Sequence, residues 1–337
     1  MGDRSKEGGW FVVTDPEEEL FAILEALDAT VWLGRGINQH AIEEWLKGFG
    51  ADGSPGSPSR LQALYLLSRF TYFGPDEVRA LAGALHRDCF RYPAVAQIRR
   101  DNGHTRDLAV INTAFSAWLK QTRFLGMGNP SESGVHILYH YRQESDLNSR
   151  LFINPDEILD LSGPEPQLAD PSIKRYVFID DFCGSGVQAI RYSKRILGPL
   201  TKAATSAGME LSIAYHVLVG TGRGLSEVRT KTAFTEVRSA LELDDTFRTF
   251  GDSSRYFGNV EPPLSKDGAR DLAHRHGAGL LSSEPLGFGD GQLMLGFAHN
   301  TPNNTLPIFW HTGSDSKAWS PPFRRHGKIT IRLGSAS

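Results

Sequence analysis

From Pro16 to about Lys120 the apolar positions recur at helical spacing. Leu20, Ile23, Leu24 and Leu27 fall three or four apart behind the start signal Asp15-Pro16, which predicts an amphipathic helix. Ile42, Trp45, Leu46 and Phe49 repeat the pattern over 37–49. The stretch GADGSPGSPS at 50–59 breaks it, as Gly, Pro and Ser do. Leu61, Leu64, Tyr65 and Leu67 open a third helix, and Pro75-Asp76-Glu77 opens a fourth with its acids in the first turn. A fifth and a sixth are predicted near Pro93–Arg100 and Thr105–Lys120.

After Lys120 the texture changes. Short β-rich runs are predicted at Val135–Tyr141, Tyr176–Ile179, Leu211–Val219, Leu293–Phe297 and Leu306–Trp310. A helix is predicted at Val187–Ile196 between two of them. Strands interleaved with helices predict an α/β fold with a parallel, doubly wound sheet. The expected organisation is a flexible arm over 1–15, a helical N-terminal region over 16–120 and an α/β domain over 121–337.

Composition narrows the function classes. A net charge of −3 leaves no general nucleic-acid footprint. Two cysteines, Cys89 and Cys183, build neither a disulfide framework nor a multi-cysteine zinc site. The first residues lack a signal peptide's apolar run, and no window reaches the roughly 18 apolar residues of a spanning helix. A cytoplasmic protein with no membrane contact is expected.

The chemistry concentrates at one turn. Tyr176-Val177-Phe178-Ile179 suits a strand buried on both faces. It is expected to end in Asp180-Asp181, followed by Phe182-Cys183-Gly184-Ser185-Gly186 and a helix from about Val187. Ligands of open α/β sheets bind at the carboxyl ends of strands, and a helix start offers free N–H groups to an anion. A dinucleotide site is disfavoured, because two acids would repel a pyrophosphate and the usual ribose acid is absent from the end of the next strand. A cysteine phosphatase built on Cys183 lacks its arginine, since Ala189 stands six residues on. A ribose 5-phosphate site uses every polar group: the acids accept ribose hydroxyls while the loop amides hold the phosphate.

This segment resembles the motif by which type I phosphoribosyltransferases bind 5-phosphoribosyl 1-diphosphate (PRPP). The resemblance implies that Asp180 and Asp181 bind the ribose hydroxyls. It implies that Gly184, Ser185, Gly186, Val187 and Gln188 hold the 5′-phosphate, with Cys183 at the mouth of the loop. Two positions depart from the motif: Gly184 stands where threonine is common, and Gln188 where Thr or Ser is common. The stretches AIEEWLKGF, LQALYLLSRFTYFG, TRFLGMGNPSESG, HILYHYRQE and HNTPNNTLPIFW resemble phosphoribosyltransferase-like proteins of bacterial conflict (anti-phage) systems. In that fold a Gly-rich loop after the first core strand holds pyrophosphate. Ser131, Ser133 and Gly134 are the donors expected there, and Arg142 or Arg123 the countercharge. Mg²⁺ is the cofactor expected with PRPP. The segment His299–Thr305 is expected to roof the ribose site.

Two functions are compatible with these residues. One is phosphoribosyl transfer to a base or nucleotide-related acceptor, within a defence effector. The other is a non-catalytic module that senses PRPP or a nucleotide and regulates a partner protein, such as one encoded in the same defence operon.

Overall fold

In a computed structural model, residues 15–128, 133–314 and 317–325 are described; the expected arm over 1–15 lies almost wholly outside them, as does Ser131. The strands among the described residues are β1 (Thr71–Phe73), β2 (Thr122–Gly126), β3 (Leu159–Asp160), β4 (Gln167–Leu168), β5 (Arg175–Cys183), β6 (Ser212–Thr221), β7 (Glu236–Leu243), β8 (Leu295–Phe297), β9 (Gly313–Ser314) and β10 (Lys317–Ala318). Strands β2, β5, β6 and β7 form a parallel sheet in that order. The short pair β3–β4 is antiparallel, and β1 pairs with β8 in parallel. The expected parallel α/β architecture is therefore the observed one.

The sheet is covered on both faces, and strand alternation divides the cover. Tyr176 and Phe178 of β5 face α8 (Val187–Ser206) and α9 (Gly222–Lys231). Val177 and Ile179 face α4 (Pro75–Ala84), a π-helical turn at Leu85–Arg91 and α7 (Ser133–Ser145). A strand buried on both sides has no polar face to present, which accounts for its uninterrupted apolar run.

A separate core joins the two ends of the chain. Helices α1 (Pro16–Thr30), α2 (Gln39–Lys47) and α3 (Pro58–Ser68) pack with α10 (Lys266–Leu280) and residues 306–323. Trp45 stacks on Phe309 at 5.7 Å, and Phe70 on Phe323 at 3.9 Å. The indoles of Trp45 and Trp319 both donate to the Ile308 carbonyl, at 2.8 and 2.9 Å. Buried Arg60 draws α1 and α2 onto α3 by binding Glu17 at 2.7 Å and Glu43. No helix among the described residues is long and apolar enough to cross a membrane.

Several expected elements change. Val135–Tyr141 belongs to helix α7, not to a strand. Ile137 and Tyr141, four apart, are both fully buried, so the run satisfies a helical face despite its aromatic, strand-like composition. Leu306–Trp310 is a 3₁₀ turn at Pro307–Phe309, where Pro307 has no N–H for a ladder. Strand β7 is an addition: its apolar Val237, Leu241 and Leu243 keep an alternating pattern. Strand β8 falls within the expected run Leu293–Phe297, whereas β1 has three residues, too few for a periodic signal.

The end-to-end core makes a prediction. Phe309→Ala should cost about 3–5 kcal/mol, the range for emptying a buried aromatic site. A urea midpoint within error of wild type would show that Phe309 does not hold the N-terminal helices to the C-terminal segment.

Candidate functional site

Strand β5 runs through Asp180 and Asp181 to Cys183, so both acids belong to the strand itself. The chain then turns at Gly184-Ser185 and enters α8 through Gly186, whose φ of +75° favours glycine. Backbones meet closely here. A Cβ on Gly224 would stand 2.1 Å from the Gly184 oxygen, and one on Gly186 would stand 2.8 Å from the Gly224 oxygen. Thr221 fastens this contact: its hydroxyl donates to the Gly184 carbonyl at 2.5 Å and accepts from the Gly224 N–H at 3.0 Å. The start of α9 thus clamps the loop that starts α8.

Gly184 has a second reason to lack a side chain. A Cβ there would stand 2.1 Å from Asn304 Oδ1 and 2.8 Å from the Phe182 ring. Asn304 is buried and fixed by donating from Nδ2 to the Phe288 carbonyl at 2.8 Å. The space a threonine would use is filled from the C-terminal segment.

The acid pair is split between the two faces of the sheet. Asp180 Oδ2 accepts from the Tyr215 hydroxyl at 2.8 Å, and Asp180 Oδ1 from the Asp181 N–H at 3.0 Å. Burial, and then the neighbouring Asp181 charge, push the Asp180 carboxyl well above the usual carboxylate range. Asp181 Oδ2 lies 2.7 Å from His299 Nε2, and its Oδ1 accepts from the Phe182 N–H at 2.9 Å. Cys183 is buried, and burial pushes its thiol up to about 12. It therefore offers no thiolate at neutral pH, which removes the physical basis of a cysteine nucleophile.

A cleft of about 730 Å³ opens above these groups. Asp180, Asp181, Cys183, Gly184, Ser185, Gly186, Val187 and Gln188 all line it, as the sequence places them. Residues 300–304 line it from the opposite side, where the expected roof lies. The loop after β2 reaches it at Gly128. Ser133 and Gly134 begin α7. Arg142 sits further along that helix, 5.8 Å from the Tyr139 ring, and is not among the cleft-lining residues. Its expected place at a strand end is lost because the strand is a helix. Arg123 instead faces Asp170 at 3.4 Å.

Sequence reasoning missed Tyr215, His299 as a partner of Asp181, and the cleft-lining Arg191, Arg195 and Arg325. Only the arginines of α8 carry a local signal, since Arg191 and Arg195 lie four apart on one helical face.

Two variants test this arrangement. Gly184→Ala should destabilise by about 1–3 kcal/mol through overpacking. Adding Asn304→Ala should cost less than the sum of the single effects, because both changes act on one contact; strictly additive melting shifts would show that the two residues do not compete for space. Asp180→Asn mimics the protonated acid. A raised folded pKa means that the native state holds a proton the unfolded state releases above about pH 3.9, so wild-type stability falls as pH rises through that window. The variant's melting temperature should therefore gain on wild type between pH 4 and pH 8; a pH-independent gap would contradict the burial argument.

No curated protein matches this chain. Among solved structures, orotate phosphoribosyltransferase from Aeropyrum pernix is similar at 16% identity over 39% of this chain and 72% of that one, with a TM-score of 0.21. The model of the PRTase-CE family matches residues 42–325, which takes in most of α2, all of α3, α4 and α7–α10, the sheet, the acid pair and the segment above the cleft. This phosphoribosyltransferase-like chain belongs to the PRTase-CE family.

Proposed function

We propose that the cleft binds a ligand built on ribose 5-phosphate, either PRPP or a nucleotide. One observation carries this reading: an acid pair and the glycine-lined start of α8 open into the same cleft. Helix-start N–H groups of Val187 and Gln188 suit a phosphate, with Ser185 beside them. Asp181, on the cleft wall, accepts a ribose hydroxyl. Asp180, whose carboxyl burial pushes well above the usual carboxylate range, positions the strand end through its bond to Tyr215. Residues 300–304 close over the sugar and exclude water.

A diphosphate on the ligand would bring magnesium, which neutralises charge on the leaving group when bound. The donor set fits: this ion is commonly held by one or two carboxylates plus substrate phosphates while keeping several waters, and Asp181 supplies one carboxylate. In phosphoribosyl transfer the chain's own part is to orient the sugar and hold the departing charge.

A sensing role has an observation of its own. The segment that covers the cleft runs directly into Ile308 and Phe309, which pack on Trp45 of α2. Closure over a ligand would thus act on the N-terminal helices, a route to a partner protein. The resemblance to conflict-system proteins supports an output in defence against phage. Plaque counts on bacteria carrying wild-type or Asp181→Asn protein would test that output.

PRPP with Mg²⁺ should raise the melting temperature, with a stabilisation of about 2.7 kcal/mol at a hundred times Kd. Asp181→Asn should abolish that gain. No thermal shift with PRPP or any nucleotide would sink the ribose phosphate reading. Pyrophosphate release with a panel of bases marks transfer; stabilisation without release marks sensing.

A further inference from the structure

Helix α8 turns one face to the cleft. Gln188, Arg191, Tyr192 and Arg195 follow at i, i+3, i+4 and i+7, and all four line it. The helix carries Arg191, Lys194, Arg195 and Lys202 but no Asp or Glu. Lys202 is paired with Glu165, whereas among the described residues Arg191 and Arg195 have no carboxylate partner. Arg195 instead lies 5.2 Å from the Tyr192 ring centroid.

This arrangement is unfavourable in the empty protein. Like charges four apart on a helix repel. Both stand on the half of α8 that begins at the phosphate loop. An anion lying along the face would offset that repulsion.

We propose that the ligand carries more than one phosphate at its 5′ end, and that the phosphates beyond the first run along α8 to Arg191 and Arg195. The class is a nucleoside 5′-diphosphate or triphosphate. This rests on the ribose 5-phosphate reading above and adds the direction in which the ligand continues. At a rise of 1.5 Å per residue, Arg191 begins about 4.5 Å beyond Gln188 along the axis, within reach of a guanidinium. Arginine's planar fork binds phosphate oxygens in pairs.

The test is calorimetric titration of the full chain with adenosine 5′-mono-, di- and triphosphate, each with Mg²⁺ at constant ionic strength. The triphosphate should bind about tenfold tighter than the monophosphate or better, as one or two added charge-assisted contacts imply. In Arg191→Gln/Arg195→Gln, both exposed positions, that ratio should fall toward one. Equal affinities in wild type, still sensitive to Asp181→Asn, would overturn the extension and leave the ribose phosphate reading standing. A ratio unchanged in the double variant would likewise overturn it. If inorganic triphosphate matches the nucleotide and Asp181→Asn has no effect, the ribose reading falls instead.

Discussion

Two carboxylates in succession on a buried strand cannot share an environment. Alternation sends Asp180 to the α8 and α9 face and Asp181 to the other. Each must then be solvated by a different part of the protein, because an unpaired buried charge is costly. Tyr215 of the adjacent strand serves the first, and His299, from 118 residues downstream, serves the second. The second partner comes from the C-terminal segment, which the end-to-end core holds over the sheet. The pair is therefore asymmetric: burial pushes one acid toward its neutral form, and the other faces a histidine.

The phosphate loop shows how far backbone packing constrains chemistry. Gly184, Gly186 and Gly224 approach within distances no side chain would allow, and Thr221 holds them together. The departure from threonine at position 184 is not simply a lost hydroxyl. Asn304 occupies the volume, so a polar atom remains beside the loop but is supplied from elsewhere in the chain. Its Oδ1 is an acceptor, and this changes which ligand groups can sit against it.

What the sequence makes legible is what is local. The run of Tyr176–Ile179, the two acids and the glycines that follow form one continuous signal, and the strand, turn and helix form where that signal predicts them. The segment at 299–305 is conspicuous in composition, and it reaches the cleft. Contacts between distant positions leave no such trace, so the partners Tyr215, His299 and Asn304 emerge only from the fold. The run at 135–141 misleads for a different reason. Its aromatic and β-branched residues favour a strand locally, yet Ile137 and Tyr141 need the four-residue spacing of a helix to be buried together.

The end-to-end core has a consequence during synthesis. Helices α1, α2 and α3 are complete once Ser68 has been made, but Ile308, Phe309 and Phe323, which cover them, come some 240–255 positions later. At translation rates of about 5–20 residues per second, that interval is on the order of ten to fifty seconds. Throughout it, Trp45, Leu64 and Phe70 lack their final cover. The apolar face of these three helices therefore stays uncovered while the sheet and its flanking helices are being made.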